Sequence, residues 1–435
     1  MFYKSIPAGL IASALFLGAS PDSSDRPTYK VIDLGTLGGT FSFGGGLNNR
    51  DWVNGLSALA TGDFHAALWA GGLKIDLGTL GGPNSQSFGP LLNERGEIAG
   101  YSDTSISDPN GLDFCGFGTH LICRAFIWNR GQLTALPSLP GINAAGFGIN
   151  NRGQVAGAAD DNITDATCVP LGAHQFKPVV WHKESHEELS TSSEGAPTFF
   201  VEELPTFPGD PNGQSGAIND NGQVVGSSGD CTVPRHALLW EHGLLIDLGN
   251  LGGMTNNQAN DIDNRGHVTG FSGIAGDPNA HHAFLWHDGI MTDLGVLTGD
   301  YSSEGGGVNE KEQVVGGSSD TKGNERAFLW ENDVMYDLNH LSPGSPLYLV
   351  FANGINSAGD IAGFGVVTGT GATAGQTHAF LARRVNCDEE FQRISECDDA
   401  AALHSGTERP RLRLPESLRN MLQKGMGTPR FGYRH

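Results

Sequence analysis

"IDLGTLGG" occupies residues 32–39, and the same eight letters return at residues 75–82. The second copy follows "HAALWAGGLK". The first follows only an apolar leader and a short polar stretch. The first copy therefore reads as a fragment whose remainder must be sought elsewhere in the chain.

Three signatures recur in a fixed order. One is an Asn-turn-Gly hairpin: "LNERGEIAG" (92–100), "INNRGQVAG" (149–157), "INDNGQVVG" (218–226), "IDNRGHVTG" (262–270), "VNEKEQVVG" (308–316) and "INSAGDIAG" (355–363), with a worn copy, "LNNRDWVNG", at 47–55. The next is a short apolar run ending in Trp, as in "HAALW" (65–69), "RAFIW" (124–128), "HALLW" (236–240), "HAFLW" (282–286) and "RAFLW" (326–330), with "HAFLA" (378–382) last. The third is the opening phrase, worn to "LIDLGNLGG" (245–253) and "MTDLGVLTG" (291–299).

Each apolar segment is four to seven residues long, rich in β-branched and aromatic side chains, and bounded by Gly, Asn and Asp. Such segments are strands. Asn bonds its own backbone and Gly takes the positive φ that finishes a tight turn. One unit thus predicts four antiparallel strands: A ending at the Asn, B ending at the Gly of "VVG", C ending at Trp, and D carrying Asp-Leu. Repeats of about 45 residues with four strands each predict β-propeller blades. The expected fold is all-β, a seven-bladed propeller over residues 28–384. The last unit stops after "HAFLARR" without a strand D, and "YKVIDLGTLGG" is a strand D without A, B and C. The N-terminal strand is therefore expected to complete the last blade, since an open array leaves two raw sheet edges.

These phrases resemble the HAF-repeat family of bacterial extracellular proteins, named for the "HAF" of His282–Phe284 and His378–Phe380. The resemblance implies export and a repeat fold. It implies no reaction.

The chain has 435 residues and a formal charge of −22. A repelled polyanion gains little from nucleic acid or anionic lipid, so neither is an expected partner. Residues 1–20 read as a signal peptide, with Lys4 before an apolar core that ends in small residues. Secretion, to the exterior or a periplasm, follows, with no transmembrane segment after cleavage. Six cysteines suit an oxidising compartment. The expected pairs are Cys115–Cys123, Cys168–Cys231 and Cys387–Cys397, although six cysteines permit fifteen connectivities. Residues 385–435 leave the repeat and read as irregular, with one short helix possible at 415–425.

The residue four before Trp is basic, and strand D supplies an acid. This predicts structural pairs inside each blade: His65–Asp76, His236–Asp247, His282–Asp293, Arg326–Asp337 and His378–Asp33, with Lys177 and Glu203 at the same positions of unit 3. In unit 2 Arg124 faces Ala135. These groups are spread one pair per unit, whereas metal ligands converge. No metal or cofactor is expected. "GQSGA" (213–217) is not G-x-S-x-G and "HEELS" (186–190) is not H-E-x-x-H, so no catalytic residue is assigned.

Units 2, 3 and 4 carry long B–C connections at 103–122, 159–175 and 228–234, in or beside which four of the cysteines lie. Long loops on a rigid scaffold are where binding usually resides. The expected function is a secreted binding or adhesion module acting through this face on an extracellular glycan or protein. The alternatives are an enzyme acting on a polysaccharide or small molecule at the channel mouth, and a structural envelope protein.

Overall fold

The computed structural model describes residues 26–165, 168, 174–184, 198–385, 410–416 and 418–419. The leader, residues 185–197, Cys387 and Cys397 lie outside the described residues. Among those described, regular structure is strand throughout, apart from helical Glu416, Leu418 and Arg419.

The repeat becomes antiparallel sheets whose strands follow the order A-B-C-D. Five sheets have four strands each. Unit 4 is representative, with Asn212–Ile218, Val224–Gly229, Pro234–Glu241 and Leu244–Asp247. Its register pairs Ile218 with Val224, Val224 with Trp240, and Trp240 with Leu245. The remaining sheet has eight strands. In it Thr377–Val385 touches Gly38–Leu47 of unit 1 through one parallel bridge, Phe41 to Thr377. The N-terminal strand Thr28–Gly35 runs antiparallel to Thr377–Val385, with Tyr29 opposite Arg384 and Asp33 opposite Phe380.

A continuous apolar run such as "HALLW" makes sense only if the strand is buried on both sides. Strand alternation then sends successive side chains to different neighbours. Leu238 and Trp240 pack with Ala156 and Val180 of unit 3. Ala237 and Leu239 pack with Ala259, Val268 and Phe284 of unit 5. Each interface between sheets is thus a small core of its own. The first strands of units 3 to 7 lie side by side in succession, and those of units 7 and 1 do so as well.

Strand B does not end at the Gly of "VVG", as the sequence reading expects; it begins just before it and runs on to Gly229 in unit 4 and to Ser107 and Thr164 in units 2 and 3. The glycine has a different task. Strand A bulges, between Ser215 and Ala217 in unit 4, and turns a carbonyl toward strand B. A Cβ at Gly226 would overlap the Gln214 carbonyl oxygen, and the same overlap recurs at Gly55, Gly100, Gly157, Gly270, Gly316 and Gly363.

In the tail, residues 410–415 are irregular, and helical Glu416, Leu418 and Arg419 fall inside the stretch offered as a short helix. Residues 410–419 do not trail away from the sheets. Leu414 and Leu418 are buried in a cluster with Phe43, Phe351 and Phe364.

Candidate functional site

The predicted C–D pairs fall on one face because Asp76 lies opposite Ala67, two residues from His65 along the strand. His65 Nδ1 donates to Asp76 at 2.7 Å, His282 Nδ1 to Asp293 at 2.9 Å, His378 Nδ1 to Asp33 at 2.8 Å, and Arg326 Nη1 to Asp337 at 2.8 Å. The same carboxylates accept from the N–H two residues on, Asp33 from Gly35 and Asp293 from Gly295, which explains the Asp-Leu-Gly phrase. At Asp33 and Asp293 burial acts to raise the carboxyl. The bonds from His378 or His282 and from these glycines outweigh it and hold both below the usual range.

His236 corrects the pattern. Its Nδ1 donates to Asp210 at 2.8 Å, not to Asp247. Asp210 comes from the D–A connection, where unit 4 reads "PGDP", and it also accepts from Ser228. Phe207 stacks on the imidazole with ring centroids 3.8 Å apart and holds it toward Asp210. One Nδ1 can serve one carboxylate. Unit 6 has the equivalent Asp300, and there Arg326 is long enough to reach Asp300 and Asp337 together. Lys177 does not reach Glu203 either; it donates to the Pro211 carbonyl and the Gln175 side chain.

The turn asparagines do more than the sequence reading assigned them. Asn150 Oδ1 accepts from the N–H groups of Arg152 and Gln154, as a turn residue should. Its amide Nδ2 meanwhile donates to the Asn219 carbonyl of the next unit at 3.0 Å. The relay repeats: Asn48 to Asn93, Asn93 to Asn150, Asn219 to Asp263, Asn309 to Asn356, and Asn356 to Asn48. Only Asp263 lacks the donor, and it instead accepts from His267 Nδ1 at 2.6 Å. The signal was the Asn that opens each hairpin, but the carbonyl it serves lies about one repeat away. Asn219→Ala removes both halves of this arrangement and is expected to cost about 2 kcal/mol in urea unfolding. Asn219→Asp keeps the turn and loses only the relay, for about 1 kcal/mol. An Asn219→Asp variant as stable as the parent would show that the link between units contributes nothing.

These turns surround a polar depression of about 210 Å³ lined by residues of all the repeat units. Three of its carboxylates hold backbone, and Glu310 accepts from the Ser357 hydroxyl. Glu94 accepts from the Asn49 N–H, Asp220 from Asn151, and Asp261 from Val308 and Ile262. Asp261 stands where other units place Gly148, Ala217 or Gly307. Burial raises its carboxyl to about 7, against those two backbone bonds, with Asp263 and Glu310 adding repulsion. No group of three or more His, Cys, Asp and Glu suited to a metal occurs among the described residues.

The opposite face carries the B–C connections. Both expected disulfides that fall on described residues are present: Cys115–Cys123 with Cα atoms 5.4 Å apart and Cys168–Cys231 with 4.9 Å. All four cysteines belong to one buried cluster with Phe147 and Phe176. Phe117 reaches across to unit 1, stacking on Tyr101 at 5.7 Å and meeting Phe64 edge-on at 5.2 Å. The extended B strands lift Ile106 and Ile163 to matching exposed positions, 61% and 56% accessible. Beneath them, Asp103 and Asp160 are buried, each with its Oδ1 unpartnered. Burial pushes Asp103 up to about 6 despite bonds from Thr119 and Asn84. It raises Asp160 as well, against bonds from Asn143.

No family model matches the chain, and no curated protein matches it. Among solved structures, the β-propeller domain of the Trilobed protease from Pyrococcus furiosus, described as having an open velcro topology, is similar with a TM-score of 0.46 and 9% identity, over 80% of this chain and 99% of that one. A puromycin-hydrolyzing peptidase of Mycobacterium tuberculosis gives 0.43 and 11%, over 78% of this chain and 53% of that one. A gluconolactonase from Xanthomonas campestris gives 0.32 and 10%, over 83% and 96%. Likenesses this remote say nothing of this chain's ligand or chemistry.

Proposed function

We propose that the protein is a secreted binding module: a closed ring of seven blades that presents its B–C face to an extracellular glycan or protein. The observation that carries the reading is the pair of matching exposed isoleucines, Ile106 and Ile163, held out on strands longer than those of the other units and braced by two disulfides. Apolar side chains set in matching positions on a stiffened rim suit contact with a partner. Pairing of Thr28–Gly35 with Thr377–Val385 supports closure, as does the relay from Asn356 to Asn48. The disulfides suit an extracellular site. Among the described residues no helix is long and apolar enough to cross a membrane. The HAF-like phrases point the same way.

The test is to shorten the connections of units 2, 3 and 4 to the length of unit 6, replacing the paired cysteines with serine, and to screen both proteins against glycan and secreted-protein panels. The intact ring should bind a ligand that the shortened ring does not. A shortened ring that folds and still binds the same ligand overturns the proposal, as does an intact ring that binds nothing in either panel.

A further inference from the structure

The B–C face has a second half, built by units 6, 7 and 1, and the chain itself lies in it. Residues 410–419 cross this half in two ways at once. Leu414 and Leu418 are 2% and 3% accessible among Phe43, Phe351 and Phe364, and Leu412 packs partly against the same cluster. Arg411 enters between Asp300 and Asp320, pairing with Asp300 Oδ1 and, at 3.2 Å, with Asp320 Oδ2. Asp300 is fully enclosed and already holds Arg326 through its other oxygen. The backbone is held as well: the Leu414 N–H donates to Asn324 Oδ1 at 3.2 Å, and the Tyr348 hydroxyl bonds to the Leu412 backbone. Arg413, Pro415 and Glu416, between these anchors, face solvent.

This arrangement differs from ordinary core packing. The segment contributes no strand to any sheet. Its contacts are those of a peptide in a groove: alternate side chains inward, one charged anchor, apolar anchors at fixed spacing, and a few bonds to the backbone. The cradle is complete without it, because Phe43, Phe351, Phe364, Asp300 and Asp320 are all held by their own strands and connections.

We propose that this cradle is a peptide-binding site that recognises an arginine followed three residues later by leucine and four further on by a second leucine, and that residues 410–419 are its exchangeable resident occupant. The proposal rests on the B–C face being the binding face, and it names the peptide class and the regulation of that face. A tail that leaves uncovers an aromatic bowl with an acidic lip. A tail that stays blocks it.

The experiment uses the full chain with a specific protease site inserted between residues 404 and 405. After cleavage, a fluorescein-labelled peptide of residues 408–420 is added, and anisotropy is read during exchange with the nicked tail. Saturable entry is expected, competed by unlabelled peptide. Arg411→Ala or Leu414→Asp in the peptide should weaken it about tenfold or more, and Asp320→Asn in the ring about tenfold. The intact variant Leu414→Asp, whose own tail is unseated, should take the labelled peptide without any nick. Failure of both the nicked protein and this variant to bind the peptide overturns the proposal. So does equal binding of a scrambled peptide. Shortening the connections of units 2 to 4 should leave peptide entry unchanged. A ligand lost with those connections while the peptide still enters therefore separates the two readings. A ligand retained there with no peptide entry sinks this one alone.

Discussion

Deleting residues 28–36 is expected to lower stability by roughly 5 kcal/mol or more and to make the protein aggregate. The estimate follows from what this short segment buries and pairs. Tyr29 is 2% accessible and sits in the core of the last interface with Leu338, Leu341 and Val315. Val31 packs against the same cluster, and Leu34 against the next, with Trp69 and Leu381. Each large apolar side chain removed from water contributes about 1.5–3 kcal/mol. The register from Thr28 opposite Val385 to Gly35 opposite Ala379 is lost as well, together with the bond from His378 to Asp33 and that from the Tyr29 N–H to Leu341. What remains exposed is the outer edge of Thr377–Val385, a paired strand turned into a free one, and such edges recruit other chains. Urea unfolding and light scattering measure the two consequences. A peptide of residues 26–37 added in trans should rescue part of both, because strand addition to a free edge supplies its backbone bonds. Stability close to that of the intact protein would mean that the segment is an ornament on the last sheet and not its fourth strand.

The reason this segment was legible, while other features were not, lies in the range of the interactions concerned. Hairpins are local. "INDNGQVVG" contains both strands of its turn, so alternation, the Asn and the Gly all speak within nine letters. The missing strand D was visible because every other unit supplied the comparison. The disulfides were legible for a similar reason: connections that adjoin in unit order bring Cys168 and Cys231 together. The relay through Asn150 and Asn219 was not, because the acceptor carbonyl belongs to the next unit and any residue carries one. His236 misled because the expected partner, Asp247, sits in the correct register, while the winning carboxylate, Asp210, hides in a connection whose neighbours read as a plain turn. The glycine of "VVG" looked like a strand end. It answers instead to a bulge in the adjoining strand, and a bulge leaves no mark of its own in the letters. The packing of Leu414 and Leu418 has no periodic signal: two leucines four residues apart in a basic stretch mean nothing until a bowl of phenylalanines is placed beneath them.

Glu325 carries the other large effect, and its sign is opposite to that of Asp33 and Asp293. It precedes the basic residue of strand C, where units 1, 2 and 3 carry Phe64, Cys123 and Phe176. Its carboxyl is pressed near Gly317 and the Phe351 ring, and Oε2 is buried without a partner. Burial, with the nearby Glu304 charge adding to it, pushes the group up to about 8. Asp33 and Asp293 are held down by their partners; Glu325 is held up by the lack of one. The folded protein therefore keeps the proton more tightly than the unfolded chain. Stability from this source is fully present below about pH 4.5 and falls as pH rises toward 8, because only the unfolded state gains by releasing the proton. Glu325→Gln keeps the shape and cannot ionise. It is expected to match the parent near pH 4.5 and to exceed it by roughly 4 kcal/mol at pH 8.5. Asp103 and Asp261 titrate in the same direction, at about 6 and about 7. Both remain in the variant, so the difference between the two urea profiles isolates position 325. Parallel profiles between pH 4.5 and 8.5 would place that carboxyl in water and remove the explanation. A gap that opens as pH rises would show that the sheet tolerates a buried acid at this position by keeping it neutral, and that the cost appears only when the solution is alkaline enough to take the proton away.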